Sequence, residues 1–272
     1  MSKGVFLTLA LTALLVLGAI FLFLLNGALS VYNATSFKDF LLSKDYYPDS
    51  ELFGIFSMII NTLLSSFLAL VISGVFGVFV AIYICFFAKN KVKKALILLI
   101  QILSMIPSVL YGFFALCVIV PFISSVFNVN GKGFLSAVLL LSIMIIPTII
   151  LLSYTFLNSV NKDYLKASLA LGLSLERSSI VVLRASSSGV ITAFILAYAR
   201  GIGEAMAVVM VAGNQPQLIS NIFDGFRSLS ANIVLEMGYA QDLHKEVLIA
   251  SGFVLFMIVF LINAILVRIK NA

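Results

Sequence analysis

The chain contains no tryptophan, one histidine and two cysteines, and only 10% of its 272 residues are charged. Each shortage excludes a class of function. A soluble domain carries about 25% charged residues, so this chain cannot clothe a water-facing shell. Cys85 and Cys117 lie far apart in apolar segments without CxxC spacing, and predict neither a disulfide framework nor a metal site. His244 stands among Asp242, Lys245 and Glu246 in what reads as a solvated loop, and no role is assigned to it. With no clustered acids either, metal-assisted and nucleophilic catalysis lack their residues, so no catalytic and no metal-binding residue is named. The nucleotide loop G-x-x-x-x-G-K-[ST] is missing too, because "NGKGF" (Asn130–Phe134) lacks the upstream glycine and the hydroxyl. The chain is expected to hold no cofactor and to hydrolyse no ATP itself.

What is abundant points one way. Hydrophobic residues make up 62% of the chain, 24 of them Phe, and the mean hydropathy is +1.19. This composition predicts an all-α integral membrane protein in a lipid bilayer, with aromatic belts built from Phe and Tyr. A net charge of +6 would suit nucleic acid, but the basic residues fall in short loops between apolar runs, so no nucleic-acid partner is expected. A helix crosses the hydrocarbon core in about 20 residues. Six such runs are expected: Val5–Leu25, Ile55–Phe87, Ala95–Val120, Phe134–Leu157, Gly189–Ala212 and Val247–Val267. Residues 1–54 would form a first unit of one helix and its loop, and residues 55–272 a second unit with five helices. Pro107 and Pro147 are expected to kink their helices, and Pro107 with Ser108 is a candidate to leave backbone carbonyls free toward a path.

Loop charge sets the orientation. Lys89, Lys91, Lys93 and Lys94 follow the second run, Lys162, Lys166, Arg177 and Arg184 follow the fourth, and Arg268 and Lys270 close the chain. Acids mark the other loops: Asp39, Asp45, Asp49 and Glu51 after the first run, then Asp224, Glu236, Asp242 and Glu246 after the fifth. The positive-inside rule places both termini and the lysine-rich loops in the cytoplasm.

The loop over 161–186 is too apolar for a linker and too charged to span. Leu165 and Leu169 recur four residues apart while Lys162 and Lys166 occupy another face, which predicts a short amphipathic helix. Gly172 is placed to end it in a left-handed turn. Ser174 can cap a second helix with Glu176 in its first turn, where the dipole favours an acid. Such a hairpin can lie on headgroups or present a knob to a cytoplasmic partner.

The same stretch, "KASLALGLSLERSSIVVLRA" (Lys166–Ala185), resembles the EAA-type loop of ABC importer permeases, with Ala167 at its first alanine, Gly172 at its glycine and Leu183 at its leucine. Lys166 replaces the usual glutamate, and Arg184 the usual proline. "RGIGEAMAVVMVAGNQPQ" (Arg200–Gln217), "IPSVLYGFFAL" (Ile106–Leu116) and "ANIVLEMGYAQDLHKEVL" (Ala231–Leu248) are similar, in order and spacing, to segments of the PstC-type permeases of phosphate-specific ABC importers. The resemblance covers about Asn61–Val267. It implies a type I ABC importer permease fold in the bacterial inner membrane, with the Gly172 loop as the coupling helix. It also implies four partners: a second, PstA-like permease subunit, a dimer of PstB-like ATPase subunits that use the ATP, a periplasmic PstS-like phosphate-binding protein, and phosphate itself. A sulfate or molybdate permease, or an ion-coupled secondary transporter, is the alternative.

Arg200 and Glu204 sit inside the fifth apolar run, where an ionisable residue costs about 2.5–3.5 kcal/mol at the bilayer centre and is by default a candidate functional residue. Four residues apart on one helix, they are expected to pair. Glu204 would hold the guanidinium until an oxyanion arrives, because an Arg fork matches phosphate oxygens bidentately. An interhelical glue contact is the other reading. Gly189, Ala193, Ala197, Gly201 and Ala205 form a small-residue stripe for close helix packing. Asn214, beyond the run, is expected either to touch the receptor or to cap the helix.

Overall fold

Apolar runs that nothing interrupts become long helices, and the interruptions decide the rest. The computed structural model describes residues 2–34 and 36–271, without the side chains of 2–3, 33–34, 266–267 and 269–271, so the Lys270 side chain counted for orientation lies outside the described residues. Helix α1 (Ser2–Ala34) leads to a short α2 (Phe37–Leu42) and a hairpin of β1 (Tyr46–Tyr47) and β2 (Leu52–Phe53), in which Tyr46 pairs with Phe53. Helix α3 (Phe56–Ile82) ends in a π-helical turn, Tyr83–Phe87, and α4 (Asn90–Met105) follows the lysine loop. Then come α5 (Ser108–Phe114), a π-helical turn at Ala115–Ile119, α6 (Val120–Phe127) and α7 (Phe134–Ser159). The chain closes with α8 (Lys162–Ala170), α9 (Leu175–Ala185), α10 (Ser187–Ile202), α11 (Met206–Val211), α12 (Leu229–Glu236) and α13 (Asp242–Asn271).

Five helical stretches among the described residues are long and apolar enough to cross a membrane: Gly4–Tyr32, Phe56–Phe87, Ser108–Phe127, Phe134–Ser159 and Asp242–Ile265. A sixth is reached only if α9 and α10 count as one bent span, and the expected fifth run is divided between α10 and α11. Helix α10 also meets α9 at 70°.

Two of the expected runs need correction. Ala95–Val120 is not one helix. Proline lacks an N–H and pushes its predecessor out of the α region, and Ile106 accordingly has an extended ψ of 128°. The spanning helix starts at Ser108, and α4 is a separate element. Pro107 therefore breaks the run where a kink was expected, whereas α7 continues through Pro147. The fifth run breaks as well, after Ile202.

Helices α3 and α7 form the centre. The buried face of α3 is built from small and polar residues, among them Asn61, Thr62, Ser65, Ser66, Ser73 and Gly77. The hydroxyls of Thr62, Ser65 and Ser73 turn back onto their own helix, Thr62 Oγ1 to the Met58 carbonyl and Ser73 Oγ to that of Ala69, each at 2.6 Å. The backbones can then approach closely, as membrane helices without a hydrophobic drive between them require. A Cβ on Gly77 would stand 2.7 Å from Ile149 Cγ2, so only glycine fits there. Two further clusters cap the ends. At the acid-loop end Val31, Phe40, Tyr46 and Phe53 pack with Met58, Leu229 and Val247, which joins residues 31–55 to the rest of the body. At the lysine-loop end Ile84, Ile100, Leu157 and Val182 pack together.

His244, read from sequence as solvated, is largely buried. It stacks on Phe53 at 5.7 Å and reaches Glu236 at 2.8 Å. Its polar neighbours in sequence gave the wrong environment, because its contacts come from residues 5 to 198 positions away.

Candidate functional site

Two glycines let the fifth apolar run break. Glycine disfavours a helix interior by about 1 kcal/mol relative to alanine, and with Gly201 and Gly203 together α10 stops at Ile202. Gly203, Glu204 and Ala205 are not helical. The Glu204 carboxylate, one residue before the N-cap Ala205, accepts from the Ala207 N–H at 3.2 Å and so satisfies an open donor in the first turn of the six-residue α11. Arg200 instead reaches across to α7, donating from Nη1 to Thr148 Oγ1 at 2.8 Å. Its other N–H groups have no protein partner among the described residues.

The expected Arg200–Glu204 pair is therefore absent. Among the described residues the ion pairs are Lys166–Asp163 and Arg227–Glu236, and His244 lies against the same Glu236 carboxylate. Pairing at a spacing of four needs a continuous helix on which both side chains share a face, and the break intervenes. The hold-and-release exchange between the two loses its geometry. Each has its own partner.

The small-residue stripe does pack up to the break. Gly189, Ala193, Ala197 and Gly201 are buried, and Gly201 faces Ser66 of α3. The start of α5 is brought to the same region: Tyr111, one turn after Ser108, is within electrostatic reach of Arg200, and Gly112 packs against Ala207 of α11. The Pro107 carbonyl accepts from the Leu110 N–H at 3.0 Å, so it is not free toward a path. Asn214, at φ 56°, donates from Nδ2 to the Val209 carbonyl at 2.8 Å and caps the end of α11. Thr148 was missed from sequence, although it is the lone polar residue between Ser142 and Ser153.

The second element is the α8–α9 elbow, and its caps are local. Asn161 accepts from the Asp163 N–H to start α8, and Ser174 accepts from the Arg177 N–H to start α9. Between them Gly172 adopts φ +83° with open space where a Cβ would point, so the glycine is required by its backbone conformation and not by packing. The Ser174 hydroxyl, and then its own backbone N–H, hold the Glu176 carboxyl below the usual range. Lys166 is 76% exposed at the side chain and lies 4.0 Å from Asp163, and Ala167 stands beside it on α8. Leu171, at the tip, is 84% exposed. Sequence reading passed over it, although a large apolar residue just before a turn glycine is a signal.

Comparison with known proteins places these elements in context. Residues 73–272 match the family described as binding-protein-dependent transport system inner membrane component. The phosphate transport system permease protein PstC of Mesorhizobium japonicum is 29% identical over 94% of this chain and 85% of its own length. A probable ABC transporter permease, YqgH of Bacillus subtilis, is 35% identical over 84% of this chain and 76% of its own. Among solved structures, an inward-facing MetNI methionine ABC transporter chain superposes with a TM-score of 0.65 at 17% identity, covering 84% of this chain and 98% of that one. That likeness is one of fold.

Proposed function

The chain belongs to the binding-protein-dependent transport system inner membrane component family, and from that premise we propose that it is a permease subunit of an ATP-driven phosphate importer. In this reading it is a multi-pass protein of the bacterial cytoplasmic membrane with both termini inside. It forms half of a path that a second, PstA-like permease completes. A PstS-like receptor delivers phosphate at the acid-loop end, and two PstB-like ATPase subunits grip the elbow and consume the ATP. No cofactor resides in this chain.

The observation that carries the reading is the state of Arg200. A guanidinium lies beside a break in a membrane crossing and is held by a neutral hydroxyl, not by a carboxylate. Its charge is therefore not cancelled, and most of its N–H fork remains for a dehydrating oxyanion. A permease must also release what it binds, and one arginine with one hydroxyl suits a transient contact. The relatives named as phosphate permeases give the oxyanion its identity.

Reconstituted vesicles test this. Radiolabelled phosphate uptake is expected to need ATP, the receptor, the ATPase and the second permease together, with sulfate and molybdate failing to compete. Uptake that follows an ion gradient and ignores the ATPase would overturn it.

A further inference from the structure

A buried polar cluster outside the site centres on Glu236, at the end of α12 and only 5% exposed. Its carboxylate gathers three donors from separate parts of the chain: the Tyr46 hydroxyl of β1, Nη1 of Arg227, and Nε2 of His244 at 2.8 Å. Buried Asn232 completes the cluster, accepting from Arg227 Nη1 at 2.9 Å and donating to the Tyr46 oxygen at 3.1 Å. Burial, and then the bond to Glu236, push the Tyr46 phenol well above its ordinary range, so it remains a donor.

The cluster extends to the break. Arg227 Nε donates to the Asn214 carbonyl at 3.0 Å, just past the end of α11. Three residues on from Arg227, in the first turn of α12, Ser230 Oγ donates to the Glu204 carbonyl at 2.9 Å, just before α11 begins. The Leu229 N–H is anchored on Thr62 Oγ1 of α3 at 2.9 Å. Helix α11 has six residues, too few to hold itself as a helix. Both of its ends are tied to α12 and to Arg227, which leads into that helix and pairs with Glu236 at its far end. A buried ion pair is no better for stability than well-packed apolar residues, so stability alone does not account for this one.

We propose that Arg227 and Glu236 are positioning residues of the import cycle, a clamp that sets α11 and the Glu204 break from the outer loops. The clamp rests on the importer reading. A receptor pressing on the loop that carries Arg227 moves α11 through Arg227 Nε and Ser230 Oγ, without touching Arg200.

The test uses the complete reconstituted importer and reads basal ATP hydrolysis, receptor-stimulated hydrolysis and phosphate uptake. The double variant Arg227→Gln/Glu236→Gln strands no buried charge. It is expected to assemble and to keep basal hydrolysis, while stimulation and uptake fall at least tenfold. Arg227→Lys keeps the charge but not the fork that serves Asn214, Asn232 and Glu236 at once, and the same loss is expected. If either variant assembles and is stimulated like the parent, the cluster is packing only and the proposal is wrong. If the parent complex itself takes up no phosphate, the importer reading fails instead.

Discussion

At the scale of single residues, the two charges in the fifth crossing act separately. On the proposed reading Arg200 meets phosphate through charge-assisted hydrogen bonds, each worth about 1.5–3 kcal/mol, so Arg200→Gln should lower phosphate uptake at least tenfold without loss of membrane insertion. Glu204 contributes through its cap on the Ala207 N–H. Glutamine keeps a side-chain carbonyl that can accept the same bond, whereas alanine does not, and losing a cap costs about 1 kcal/mol. Amide exchange over 204–213 should therefore be near parental in Glu204→Gln and about fivefold faster in Glu204→Ala. Equal loosening in both variants would mean that the charge, and not the cap, holds α11.

At the scale of elements, the elbow separates shape from contact. Gly172 supplies the shape, because φ +83° is strained for any side chain and most for a β-branched one. Leu171 supplies an exposed apolar contact whose loss removes little internal packing. Gly172→Val should misplace α9 and abolish co-purification with the ATPase, and Gly172→Asn should do so less. Leu171→Asp should leave the helices intact yet cut stimulated ATP hydrolysis several-fold. Parental coupling in both Gly172→Val and Leu171→Asp would remove the elbow from the ATPase interface. The elbow was legible in sequence because its determinants are neighbours: Gly172, Ser174 and Glu176 write their turn and cap within five residues. The breaks were half legible. Pro107 was visible, but an apolar run reads the same whether its helix is continuous or split, as the one over Gly189–Ala212 does. The cluster around Glu236 was not legible, since Tyr46 lies 190 residues from it and nothing local joins them.

At the scale of the whole molecule, charge asymmetry and packing divide the body into the same two ends. The cluster of Phe40, Tyr46, Phe53, Leu229 and Val247 closes the end where the acid-rich loops emerge. The cluster of Ile84, Leu157 and Val182 closes the end that carries Lys89–Lys94 and the elbow. The proposed coupling needs the elbow on the cytoplasmic side, and the positive-inside bias favours that same orientation. In a background of Cys85→Ala and Cys117→Ala, a cysteine at Asp49 should react with a membrane-impermeant maleimide in intact cells. A cysteine at Lys91 should react only after the cells are opened. Both positions are exposed, so accessibility within the fold does not bias the comparison. The reverse pattern would turn the elbow away from the cytosol, and no ATPase could then drive this chain, whatever Arg200 binds.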